Sequence, residues 1–212
     1  MQIAQHRHQV PSHNIVLNNI SWQNFEKLLL ELGENQGAKL AYDRGRLEIM
    51  TPLPEHEYYK EILSLTIQDI AEELDLDYES YGSTTWKREK ELAGLEADNC
   101  FYFQNEDRVR GKLTLDLDQD PPPDLALEID LTHKSLNRFP IYARLGVPEI
   151  WCYDSGELKI YQLQGSDYQE VDKSDIFPNL PIQELPRVIE RDRLQGRRAI
   201  RRAVRAWVKE KS

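Results

Sequence analysis

A chain of 212 residues, 40% of them hydrophobic, has material for one substantial core. Its net charge of -10 argues against non-specific, tight binding to nucleic acid, which needs a broad basic surface. No apolar run approaches the ~20 residues that span a bilayer, which excludes a membrane-spanning helix.

Met1 to Val10 is polar and His-bearing, without the hydrophobic stretch of a signal peptide. Residues 1–14 are expected to form a disordered lead before a single domain over 15–212. From Ser21 to Leu32, apolar residues at 22, 25, 28, 29 and 32 have helical spacing, with Ser21 as N-cap. Two alternating runs around Asp43-Arg44-Gly45, between Lys39 and Met50, predict a hairpin. A helix over about Glu55 to Leu74 follows, with Tyr59, Leu63, Ile67, Ile70 and Leu74 on one stripe and His56 at its start. Strands are expected near Tyr81–Lys87 and over Asp98–Phe103, then a turn-rich hairpin to Asp120. Pro121-Pro122-Pro123 fixes an extended entry into a strand over Asp124–Leu131. A short helix from about Ser135 ends at Gly146. A hairpin joins Glu149–Tyr153 to Leu158–Leu163, and a last helix runs from about Arg191 to Lys209. The order predicts an α/β (α+β) fold, a mixed sheet flanked by helices.

The charge is unevenly distributed. Arg187 to Ser212 holds ten Lys/Arg against three Asp/Glu, a net +7, which leaves -17 on the preceding residues. The arginines at 197, 198, 201, 202 and 205 suit either a solvated face of a docked helix or a DNA-contacting one. Cys100 and Cys152 lie in apolar stretches and read as small buried hydrophobes rather than a disulfide framework, consistent with a cytoplasmic protein.

The concentrated chemistry lies in two acid-bearing strands. Alternation along Asp124-Leu-Ala-Leu-Glu-Ile-Asp-Leu131 puts Leu125, Leu127, Ile129 and Leu131 on one face and Asp124, Glu128 and Asp130 on the other. A central strand carries buried charge only where it is paired or holds a metal; on an edge the same acids would simply be solvated. Asp98 heads an aromatic-rich strand and could meet Glu128 across a sheet. Two such carboxylates form a hard-oxygen site for Mg²⁺ or Mn²⁺. Crowded acids also predict at least one raised carboxyl pKa.

Glu96-Ala-Asp98-Asn-Cys-Phe-Tyr-Phe together with Pro123-Asp-Leu-Ala-Leu-Glu128-Ile-Asp resembles the Uma-type family of restriction-endonuclease-like proteins, within the PD-(D/E)xK nuclease superfamily. So does the block from Arg138 to Trp151, and the resemblance runs from about Ile20 to Trp207. It implies a nuclease core with an N-terminal helix and hairpin and a C-terminal helix. It also implies Asp98 and Glu128 as metal ligands, Mg²⁺ or Mn²⁺ as cofactor and DNA as substrate, with no membrane partner, and it allows a homodimer. The sequence departs from the pattern in places. Asp130 stands where the superfamily lysine is expected, two residues after Glu128, and Ala97 replaces a frequent proline. The alternative lysine position, four residues before Tyr142, is Arg138, which can clamp phosphate but is a poor proton acceptor. Lys134 is a nearby substitute. His56 matches a histidine common in the family, whereas Tyr58, Tyr59 and Tyr142 read as packing.

The resulting expectation is a metal-dependent DNA endonuclease with Asp98, Glu128, Asp130, Arg138 and His56 at the site, and Asp130 or Asp124 supporting the metal. A silent DNA- or partner-binding protein that kept the fold, and a hydrolase of a small phosphoester, are the alternatives. Arg138 should point back toward the Glu128 strand.

Overall fold

The computed structural model describes residues 14–33, 37–129 and 135–212. Of the expected lead over 1–14, all but Asn14 lies outside those residues. Asn14 opens β1 (Asn14–Leu17), which leads to α1 (Trp22–Leu32). The helix starts where the cap predicts, with Ser21 Oγ accepting the Asn24 N–H at 3.2 Å. β2 (Lys39–Asp43) and β3 (Arg46–Met50) form the expected hairpin. Arg44 and Gly45 both take positive φ, 46° and 91°, the geometry that matches a two-residue turn to the strand twist. α2 (Pro54–Glu73) begins on a proline and buries His56, Leu63, Ile67 and Ile70.

The middle of the chain is more broken than its pattern suggests. The strand expected near Tyr81–Lys87 is β5 (Thr85–Arg88), shorter than predicted, and β4 (Glu79–Ser80) before it joins the other sheet. β6 (Ala93–Glu96) and β7 (Asn99–Tyr102) then flank a two-residue link, Ala97-Asp98, on which the chain passes from one sheet to the other. In place of the expected hairpin before the prolines there is the short α3 (Glu106–Val109) and loop. Beyond it lie β8 (Leu125–Ile129), α4 (Phe139–Leu145), β9 (Glu149–Asp154), β10 (Glu157–Gln164) and β11 (Asp167–Val171), the last without a predicted counterpart. The expected terminal helix is α6 (Arg197–Lys211), which begins later than predicted, after Gly196 at φ 89°; the helix α5 (Leu185–Asp192) before it has no predicted counterpart.

The expected mixed sheet is the six-stranded one, ordered β11-β10-β9-β8-β7-β4, with β8 and β9 parallel through the α4 crossover. A second, antiparallel sheet is ordered β1-β3-β2-β6-β5. Helices α2, α5 and α6 pack on one face of the mixed sheet, over Leu125, Leu127, Ile129 and Trp151. Ala126 and Ile150 point the other way, into a core shared with Leu95 and Trp86 of the second sheet and with Tyr142 of α4. β8 therefore alternates as its sequence requires. Fully burying each large apolar side chain stabilises by roughly 1.5–3 kcal/mol, so these cores hold the layers together. A third cluster seals α1 to the outer face of the second sheet through Trp22, Phe25, Tyr42 and Leu47. Gly94 is needed there, because a Cβ would sit 2.8 Å from the Phe25 ring.

The arginine-rich helix docks on α2. Arg201 and Arg205 both bind Asp69, which is fully buried, at 2.6–3.0 Å, while Arg198 and Arg202 stay exposed. Arg201 and Arg205 thus serve the fold, and Arg197 lies over the Tyr58 ring of α2 at 5.9 Å. Cys100 is buried, with its Sγ 3.1 Å from Trp86 Nε1, and Cys152 is half-buried. Among the described residues, no helix is long and apolar enough to cross a membrane.

Candidate active site at the seam of the sheets

Where the chain crosses between sheets, charged groups from six elements converge. Asp98 sits on the crossing link, and Glu128 lies near the end of β8. Asn99 pairs with Leu127, so the two acids stand one position beyond that pair on adjoining strands. Both are buried, at 1% and 4% exposure. The Ile129 N–H donates to Asp98 Oδ2 at 2.6 Å, and the Asp98 N–H reaches the Leu127 carbonyl at 3.2 Å, which fixes the acid to the rim of β8.

Each carboxylate is met by a cation from another part of the chain. Arg138, the residue before α4, does point back toward β8. Its Nη1 donates to Glu128 Oε1 and Oε2 at 3.2 and 2.9 Å. Its Nη2 lies 3.7 Å from Oε2 of Glu48, a fully buried acid of β3. Burial opposes the charge on Arg138, but Glu128, Asp98 and Glu48 around it hold the guanidinium above its ordinary pKa. Tyr142 donates its hydroxyl to Glu128 Oε1; burial first, and then that carboxylate, push the phenol well above its usual range. Glu48 also accepts the N–H groups of Ser135 and Leu136, at 2.9 and 3.3 Å, which ties the second sheet to the start of the α4 segment.

On the Asp98 side, Lys39 from the start of β2 donates to Oδ1, and to the Ala97 carbonyl at 3.3 Å. His56, in the first turn of α2, places Nε2 3.1 Å from Asp98 Oδ2, off the angle of a hydrogen bond, and Nδ1 3.3 Å from Glu57. Glu96 ends β6 two residues before Asp98 and accepts from Thr85 Oγ1 at 3.0 Å. Its pKa is raised by burial, against the pull of Thr85, the Leu40 N–H, Lys39 and Arg138.

Of the sequence-predicted residues, the structure gathers Asp98, Glu128, Arg138 and His56. Asp130 and Lys134 lie outside the described residues. Asp124 is elsewhere: it precedes β8 and accepts the N–H groups of Phe103 and Asn105 at 2.8 and 3.0 Å, bracing that loop. Alternation put it on the right face, but at the wrong end of the strand. Sequence reasoning missed Lys39 and Glu48 and assigned Tyr142 to packing alone. The signal used for Glu128, a charge inside a short apolar strand, is present for Glu48 in RLEIM, whereas Lys39 stands at the start of KLAYD, where sequence gives no such signal.

Beside the seam opens a groove of about 1030 Å³, lined by Lys39, Glu96, Thr85, Tyr81, Lys60 and Lys87 among others. Lys60 is paired with Glu57 at 2.5 Å and Lys87 with Glu26 at 2.7 Å, so its walls carry both signs.

The Uma2 family model, described as "Putative restriction endonuclease", matches residues 22–193. A crystal structure titled as "a putative nuclease belonging to DUF820" from Anabaena variabilis is similar, at 13% identity and a TM-score of 0.48, over 84% of this chain and 96% of that one. No curated protein matches the sequence.

Proposed function

The chain belongs to the Uma2 family, and on that premise we propose that it is an endonuclease hydrolysing DNA phosphodiester bonds with a divalent metal, Mg²⁺ or Mn²⁺. The observation that carries this reading is the placement of Asp98 and Glu128, both buried, one position beyond the Asn99–Leu127 pair, with Arg138 in the field of both.

The residues present fit such an ion. Among the described residues the seam holds four buried acids, Glu48, Glu96, Asp98 and Glu128, with the buried cations Lys39 and Arg138. Oε2 of Glu48 has no hydrogen-bond partner among the described residues. Carboxylate oxygens are the donors a hard cation prefers. Among the described residues, no group of three or more His, Cys, Asp or Glu could hold a metal by itself. Mg²⁺ commonly binds through one or two carboxylates and leaves its other positions to water and substrate phosphate. Asp98 and Glu128 would hold it, with Asp130 as a supporting acid, and the ion would activate water and offset charge on the phosphate.

The remaining groups position these acids. Arg138 and Tyr142 restrict Glu128 to one rotamer, and Arg138 acts on that carboxylate more than on phosphate. The Ile129 N–H orients Asp98, and His56 packs against its Oδ2. A cytoplasmic location is part of the same reading, supported by cysteines that are buried or half-buried rather than bridged.

Purified protein should nick supercoiled plasmid with Mg²⁺ or Mn²⁺ and stop in EDTA. Glu128→Ala and Asp98→Ala should abolish cleavage, and Mn²⁺ should raise the melting temperature of the wild type but not of Glu128→Ala. Cleavage that survives in Glu128→Ala, or an equal Mn²⁺ shift in both proteins, would overturn the assignment. DNA binding without cleavage would point to a silent nuclease fold. Hydrolysis of a chromogenic phosphodiester alone would point to a small-ester hydrolase.

A further inference from the structure

We propose that Lys39, contributed by the second sheet, is a catalytic residue of this site that contacts the scissile phosphate from the groove; the proposal rests on the nuclease reading above. Lys39 is the only buried lysine among the described residues. A lone lysine is buried at a cost unless its charge is matched and its donors are used. Here the match is Asp98, one of the two acids assigned to the metal, 59 residues away in the chain.

The donor count leaves room for a ligand. An ammonium group has three N–H donors. The described contacts of Lys39 use two of them, on Asp98 Oδ1 and on the Ala97 carbonyl. The same side chain lines the open groove with Glu96 and Thr85, so an oxygen entering there can take the third. The other lysines of that wall, Lys60 and Lys87, are paired at its rim with Glu57 and Glu26. Arg138 is held by Glu128 and Glu48 and does not line the groove. Among the described residues, Lys39 is therefore the cation that touches both the acid and the space a substrate would occupy.

In the step it serves, the oxygen of water forms a bond to phosphorus and the bond to the leaving oxygen breaks. Water releases one proton to solvent, and the leaving oxygen takes one from it. Lys39 stays protonated throughout and offsets the charge that grows on a non-bridging oxygen. Such fixed charge at the point where negative charge develops is commonly worth ~10²–10³ in turnover.

The test compares Lys39→Gln and Lys39→Arg with wild type in two measurements, plasmid cleavage and the Mn²⁺-induced rise in melting temperature. Glutamine keeps a donor toward Asp98 and loses the charge; arginine keeps both. Lys39→Gln should lose cleavage by ~100-fold or more while retaining the Mn²⁺ shift, and Lys39→Arg should recover at least a tenth of wild-type turnover. Cleavage by Lys39→Gln within a few-fold of wild type would overturn the proposal and leave Lys39 a structural ion pair. Loss of the Mn²⁺ shift in Lys39→Gln would also overturn it, by placing the residue in metal retention instead. If Lys39→Gln melts without a cooperative transition, Lys39→Arg decides: a folded Arg variant with less than a hundredth of wild-type turnover refutes the charge role. A wild type that cleaves no DNA under any of these metals removes the nuclease reading itself, and this proposal with it.

Discussion

Arg138→Met tests the electrostatic logic of the seam most directly, because methionine keeps much of the apolar bulk and removes only the guanidinium. In the wild type that group lies 2.9 Å from one Glu128 oxygen and 3.7 Å from one Glu48 oxygen. Side-chain exposure is 5% for Arg138, 5% for Glu128 and 0% for Glu48, so solvent screens these charges little. Removing one partner of a buried ion pair costs about 3–5 kcal/mol, mostly because the other charge is left uncompensated. Two acids lose their cation here, and Tyr142 still donates to Glu128, which limits the loss. At about 2–4 °C per kcal/mol for a domain of this size, the melting temperature should fall by roughly 6–20 °C. Urea titration followed by tryptophan fluorescence measures the free energy, and a thermal melt checks it. A second signature separates charge from packing. Buried acids without a cation hold protons more tightly, so the variant should lose stability relative to wild type as pH rises, and the gap should narrow in acid. A loss below about 1 kcal/mol, or a gap independent of pH, would refute the claim that Arg138 compensates Glu128 and Glu48.

Glu96 has its folded pKa raised by burial, so the native state holds its proton more tightly than the unfolded chain. Stability from that group is therefore lost as pH rises through the raised value, and Glu96→Gln should gain on wild type toward neutral pH and lose the advantage in acid, as a pH series of melts would read. Asp69→Ala should release α6 from α2 at a cost of about 2–3 kcal/mol, because a fully buried acid that accepts from Arg201 and Arg205 is lost while both arginines can still hydrate; protease susceptibility at residues 193–197 should rise with it. Gly94→Ala should cost about 1–3 kcal/mol in urea, since the new methyl meets the Phe25 ring at 2.8 Å in a packed cluster.

The local elements were legible where one local force decides them. Ser21 caps α1, Arg44-Gly45 turns the first hairpin, and the alternation of β8 sends its leucines to one core and Ala126 to the other. These depend on backbone geometry and on the side-chain period, which are written into a few adjacent residues. The failures were at junctions. The helix α5 before the Gly196 break was not foreseen, and β11 carries no buried residue to announce it.

The candidate site divides along the same line. Sequence by itself determined that Asp98 heads one apolar strand and Glu128 lies within another, that His56 and Arg138 stand near helix starts, and that the chain resembles the Uma-type family to which it belongs. Only the tertiary structure decided which charges compensate them. Lys39 and Glu48 sit on a hairpin whose own pattern is satisfied without any partner, and their role arises because a second sheet is laid against the first. A strand's alternation reports which face is buried, not what it is buried against. The match of Lys39 to Asp98, 59 residues apart, is a property of the seam, where the cost of burying each charge is lowered by one that the fold delivers from elsewhere in the chain.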